Sequence, residues 1–127
     1  MTKITELKIG PHYFKIKYKK RLFGDDGTGT IVNLLGDVDT GKQIIRVSRD
    51  APEDLINYVI LHEALHGIAA LYGHHLEEHQ ILMLETGIGA LLEDNPEFRE
   101  SFNLNPPEQT LVVHDNVSGY VAWKNYP

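Results

Sequence analysis

In Tyr13-Phe14-Lys15-Ile16-Lys17-Tyr18-Lys19 apolar and basic residues alternate, the period-two signature of a half-buried strand. Phe14, Ile16 and Tyr18 share one face and the three lysines the other. The lysine face reads as solvated and edge-protecting rather than as a patch for an acidic partner. Further strands are predicted at Ile4–Ile9, at Gln43–Ser48 and, more weakly, at Ile31–Leu35. They are separated by the turn signals Gly10-Pro11, Gly24-Asp25-Asp26-Gly27, Gly36-Asp37 and Thr40-Gly41. Past Asp50 the period changes. Leu55, Ile56, Val59 and Ile60, then Ile68, Ala69 and Tyr72, recur at helical spacing. Asp50-Ala51-Pro52-Glu53 supplies an N-cap acid, a first-turn proline and a glutamate, and Gly73 supplies the stop.

The turn Gly73-His74-His75-Leu76-Glu77 leads to a second helix with the stripe Ile81, Leu84, Ile88, Leu91 and Leu92. Asn95-Pro96-Glu97 starts a third, short helix carrying Phe98 and Phe102. Asn103–Glu108, with Pro106-Pro107, reads as a loop, followed by strand-like runs at Thr110–His114 and Tyr120–Trp123. The expected fold is α+β: a small twisted N-terminal sheet packed on the first helix and on a second, antiparallel helix, all within one domain spanning 1–127.

Composition narrows the chemistry. The 127 residues are 42% hydrophobic and 24% charged, ordinary globular values. The chain has no cysteine, which excludes disulfides, thiolate zinc sites and cysteine nucleophiles, so any metal must be held by histidine and carboxylate. Met1–Gly10 carries no apolar h-region and no run approaches the roughly 18 apolar residues of a membrane span. A cytoplasmic protein without a membrane partner is the expectation. The net charge of −6 argues against nucleic acid as a partner, yet it is uneven. Residues 1–23 hold seven of the twelve basic residues and one acid, which leaves five basic against seventeen acidic residues, −12, for the remainder.

The chemistry-bearing feature is His62-Glu63-Ala64-Leu65-His66, inside the first long helix. Residues four apart share a helix face, so both imidazoles can reach one ion. Glu63 is rotated by about 100° from His62 and can take a proton from water without ligating the metal. Zinc lowers the pKa of a bound water toward neutrality and polarises a carbonyl. The pattern therefore points to zinc-dependent hydrolysis of a peptide or protein substrate, with Zn²⁺ on His62 and His66 and Glu63 as general base. Two other readings stand beside it. One is a zinc-binding protein without turnover that sequesters or regulates a partner. The other is a solvent-facing His/Glu stripe in an interaction protein that binds no metal.

Catalytic zinc generally has three protein ligands and an open position. The residue six after His66 is Tyr72, so the third histidine of the extended metzincin pattern is absent. Glu78 and Glu85 on the second helix compete. Equal depth in an antiparallel hairpin pairs His66 with residues near 82–85, and Glu85 lies among Ile81, Ile88 and Leu92, where a bare carboxylate is expensive. Glu78 falls in the first turn, where a capping or dipole role suffices. Glu85 is the preferred third ligand. Gly87 and Gly89 suggest close helix approach, each costing roughly 1 kcal/mol against alanine. His74 and His75 read as loop residues, and with Tyr58 and Tyr72 they are weak candidates for transition-state contacts.

From about Leu34 to Pro96 the chain resembles the small phage- and prophage-encoded zincin-like proteins, distantly similar to ImmA/IrrE-type metallopeptidases. The segments that carry the resemblance are Leu35-Gly36-Asp37-Val38-Asp39, Gln43-Ile44-Ile45, Ile60–Ile68, Glu78–Ile81, Leu84–Ile88 and Asp94-Asn95-Pro96. It implies a minimal zincin-like fold, a bound zinc and a peptidase-like hydrolase site at His62, Glu63 and His66. It leaves the third ligand open, because Glu78-x-x-Ile81 resembles the glutamate motif of the larger family.

Overall fold

The alternation in the second strand is what the sheet is built on. The computed structural model describes residues 3–103 together with the backbone of Thr110–Leu111 and Trp123–Lys124. The expected loop after Asn103, the remainder of the two C-terminal runs and His114 lie outside the described residues. The chain forms two compact units, Met1–Ala90 and Leu91–Pro127.

In the first unit, β1 (Glu6–Ile9), β2 (His12–Lys19), β5 (Gly36–Asp39) and β6 (Ile44–Ser48) form a mixed sheet in the order β1-β2-β6-β5. β2 and β6 are parallel and the outer pairings antiparallel. Register sets Leu7 beside Phe14, Ile16 beside Ile45, Tyr18 beside Val47 and Val38 beside Ile45, so one face is continuously apolar. Lys15, Lys17 and Lys19 are exposed on the other face, as the alternation requires. β2 is nevertheless an interior strand, so its lysines guard no edge. β3 (Leu22–Asp25) and β4 (Ile31–Leu34) form a separate hairpin. At its tip the Asp25 and Asp26 carboxylates accept backbone N–H groups of Gly27, Thr28 and Gly29.

After Ser48 a 3₁₀ turn (Glu53–Leu55) leads into α1 (Ile56–Leu71). The Asp50 cap does not form, because no side chain caps this start. Instead the Asp50 N–H donates to Ser48 Oγ and its carboxylate lies 3.7 Å from Arg21. The other end behaves as expected. Gly73 adopts φ 71°, its N–H donates to the Ala70 carbonyl and the His74 N–H to the Ala69 carbonyl. This pair satisfies two of the orphan carbonyls of the last turn.

α1 lies on β5 and β6. Ile60 and Ala64 join Ile9, Phe14, Ile16, Ile45 and Val47 in the buried core. Gly67 is buried at this contact, where a Cβ would meet Ile9 Cδ1 at an ordinary 3.4 Å. α2 (Glu78–Asp94) starts with the Glu77 N–H donating to Gln80 Oε1, and its Ile81 is fully buried. The architecture is α+β, and the first unit holds six strands in two sheets. None of the described helices is long and apolar enough to cross a membrane.

In the second unit α3 (Pro96–Ser101) starts at Asn95 with proline in its first turn, as the sequence indicates. Phe98 and Phe102 meet edge to face at 5.2 Å. β7 (Thr110–Leu111) and β8 (Trp123–Lys124) pair antiparallel.

Candidate metal centre

Four residues apart on α1, His62 and His66 present their rings side by side, with centroids 5.1 Å apart. Their nitrogens and a Glu63 carboxylate oxygen lie within 4.8 Å of one another. Glu63 is buried and the histidines are partly exposed, so the group sits where the helix leaves the core and meets solvent.

Both glutamates considered from the sequence reach this group, in different ways. Glu78, in the first turn of α2, spans the two rings: Oε1 lies 2.7 Å from His62 Nε2 and Oε2 lies 3.2 Å from His66 Nε2. Glu85 Oε1 lies 2.7 Å from Nδ1 of His62, on the other side of that ring. Glu78 is the carboxylate that touches both histidines, while Glu85, the ligand preferred from the sequence, meets His62 alone. Glu78 meets His66 one to two helical turns earlier in α2 than the residues near 82–85 that equal depth pairs with it. The Glu78 carboxylate, in the first turn of α2, therefore already reaches both histidines.

These contacts constrain His62. A carboxylate on Nδ1 takes the proton there. In a neutral ring the Nε2 lone pair then faces a Glu78 oxygen at 2.7 Å, two electron-rich atoms that only a cation can hold together. A proton on Nε2 meets that need, and so does a metal. Tetrahedral zinc with bonds of about 2.0–2.1 Å places its donors roughly 3.4 Å apart; the 3.2 Å between His66 Nε2 and Glu78 Oε2 is close to this, and the 2.7 Å between His62 Nε2 and Glu78 Oε1 is a hydrogen-bond length that an ion would widen. Two imidazole Nε2 atoms and one carboxylate form a donor set that could hold zinc, and Glu85 then occupies the usual place of an outer carboxylate fixing a ligand's tautomer. The Glu78 side chain is 61% exposed, so the centre is open to water on that side.

Burial pushes the Glu63 carboxyl up from 4.5 to about 7; His62 opposes this, and the negative charges of Asp37, Glu78 and Glu85 add to it. Asp37 is held on β5 by Arg46 of β6, whose Nε donates to Oδ1 at 2.8 Å and whose Nη2 contacts Oδ2. Gly36-Asp37 reads as a turn in the sequence, yet a strand begins there. That strand, β5, is the edge of the sheet. Its approach to the site depends on Gly36, where a Cβ would meet Val59 Cγ1 at 2.6 Å and Glu63 Cγ at 3.3 Å.

The remaining candidates separate. Tyr58 lines a cavity beside His62 and Glu63. Tyr72 lies by Gly10, in a groove with Leu7 and Ile60. His75 pairs with Glu77 at 2.9 Å and is 80% exposed, in keeping with a loop role. Gly89 matches the expectation of close approach, since a Cβ there would lie 2.2 Å from Tyr58 Cε1; Gly87 does not, with nothing within 4 Å. No family model, curated protein or solved structure matches the chain.

Proposed function

We propose that this protein is a zinc-dependent peptidase whose metal is held by His62, His66 and Glu78. The observation that carries the reading is the convergence of two imidazole Nε2 atoms on one carboxylate, with the buried Glu63 beside them. When bound there, zinc would supply Lewis acidity to a water molecule and to the carbonyl of the bond being cleaved.

The chain's own residues do the rest. Glu85 holds the Nδ1 proton of His62 and so keeps the Nε2 lone pair turned toward the donor set. Glu63 takes a proton on its carboxylate from the attacking water and returns one to the departing amine nitrogen. Burial raises the Glu63 pKa in the metal-free fold, and a cation beside it would draw that value down again. The apolar surroundings that raise it also keep bulk water from solvating the carboxylate.

The test is elemental analysis of protein purified without an affinity tag, followed by peptide-library digestion with wild type and Glu63→Gln. The reading expects zinc in both proteins and cleavage by wild type alone. Zinc without cleavage in either would favour a sequestering or regulatory protein. No zinc, and no uptake on titration, would remove the centre.

A further inference from the structure

We propose that the cavity next to the His–Glu cluster receives one large apolar side chain, of the leucine, methionine or phenylalanine class, from the peptide bound at the centre. This rests on the peptidase reading above and adds the selectivity of the same site. The cavity measures about 310 Å³, at the lower end of the range for small-molecule sites. That is room for a single side chain and adjoining backbone.

Its wall is apolar and comes from separate parts of the chain: Leu35 before β5, Leu55 in the 3₁₀ turn, Tyr58 and Val59 on α1, and Leu82 on α2. Leu35, Leu55 and Leu82 are 46%, 42% and 49% exposed. Single exposed leucines are unremarkable, but three converging on one concavity mark a place where apolar surface is meant to be covered. The polar end of the cavity is formed by His62, Glu63 and Glu85, so an occupant lies directly against the reacting groups.

The wall is also held in shape. The Tyr58 ring rests on α2 at Gly89, where any Cβ would collide with it, and the bare Gly36 brings the backbone of β5 flush with Val59. A hydrocarbon entering this space leaves water and meets carbon on most sides. An acidic side chain would enter beside Glu63 and Glu85 and be repelled.

Two small chelators separate the cavity from the metal. Zinc-loaded protein is titrated calorimetrically with acetohydroxamate and with 4-methylpentanohydroxamate, which share a metal-binding head and differ in an apolar arm. The arm is expected to tighten binding roughly 10- to 100-fold, the effect of burying one leucine-sized group. Leu82→Trp and, from the opposite wall, Leu55→Trp fill the space and should bring the ratio toward one with zinc content unchanged. Equal affinities for the two chelators in zinc-loaded wild type would overturn the inference and leave the metal centre standing. Absence of zinc uptake would instead remove the peptidase reading. The cavity is then decided in metal-free protein by methyl NMR: 4-methylpentanamide, and not acetamide, should shift the Val59 and Leu82 methyls, and no shift overturns the inference.

Discussion

The two sides of α1 solve different problems with the same helix. Toward the sheet, Ile60, Ala64 and Gly67 meet Ile9, Phe14 and neighbouring apolar residues, and contact there is a matter of filling space. Toward α2, His62 and His66 meet Glu78 and Glu85 through three imidazole nitrogens and three carboxylate oxygens, and contact is a matter of direction. Apolar burial is non-directional and scales with area, so a modest shift changes which carbons touch but little else. A shift of about two helical turns on the polar side exchanges one carboxylate for another. The first side is tolerant, the second is discrete, and perturbations should separate them.

The largest expected effect is on the polar side. Glu63→Gln should lower turnover by about 10²- to 10⁴-fold, the usual contribution of a positioned acid–base group, with zinc content unchanged. Peptide cleavage assays paired with metal analysis check both halves. Next is the sheet side: Ile45→Ala, at a fully buried position, should cost about 2–5 kcal/mol in urea denaturation. Zinc bound per folded molecule should stay the same. A core substitution that emptied the metal site would show the two sides to be coupled.

Titration of Glu63 sharpens the contrast. Its pKa in the fold, about 7, lies above the ordinary 4.5, so between those values the folded chain holds a proton that the unfolded chain has lost. Stability from this group is full below pH 4.5 and is lost as pH rises through about 7. The loss is roughly 3 kcal/mol at 1.4 kcal/mol per unit. Metal-free wild type should therefore weaken across this window relative to Glu63→Gln in denaturation at stepped pH. Zinc should suppress the difference, because a nearby cation favours the carboxylate.

The smallest effects distinguish two glycines of α2. Gly87→Ala meets open space and should stabilise by up to about 1 kcal/mol through helix propensity. Gly89→Ala must displace the Tyr58 ring, so the same gain should be cancelled or reversed by about 1–3 kcal/mol of overpacking. Thermal melts of the two variants, opposite in sign, are the check.

Residue by residue, what was legible follows the same division. The faces of β2 could be read directly, because alternation leaves one arrangement of Phe14 and Ile16 against Lys15 and Lys17. The end of α1 was legible because Gly73 takes a left-handed conformation that few other residues accept. β5 was not, since Gly36-Asp37-Val38-Asp39 has poor strand propensity. Its pairing is completed across the ladder by Arg46 on Asp37 and by Val38 over Ile45, neither of which is local in sequence. The position of Asp50 was misjudged for a similar reason, because Ser48 and Arg21 offered it partners outside the helix. The histidine pair and Glu63 were legible from spacing along one helix. Which carboxylate joins them depends on how residues 72–77 return the chain, and no periodicity records that.

The measurement that bears most directly on the centre is zinc affinity by chelator competition for wild type, Glu78→Gln and Glu85→Gln. One zinc per chain is expected in wild type. Glu85→Gln, altering only the support of His62, should weaken binding about 10- to 100-fold, as outer partners do. Glu78→Gln, removing the carboxylate that meets both Nε2 atoms, should weaken it further. A larger loss for Glu85→Gln than for Glu78→Gln, or no zinc bound by wild type, would contradict the assignment.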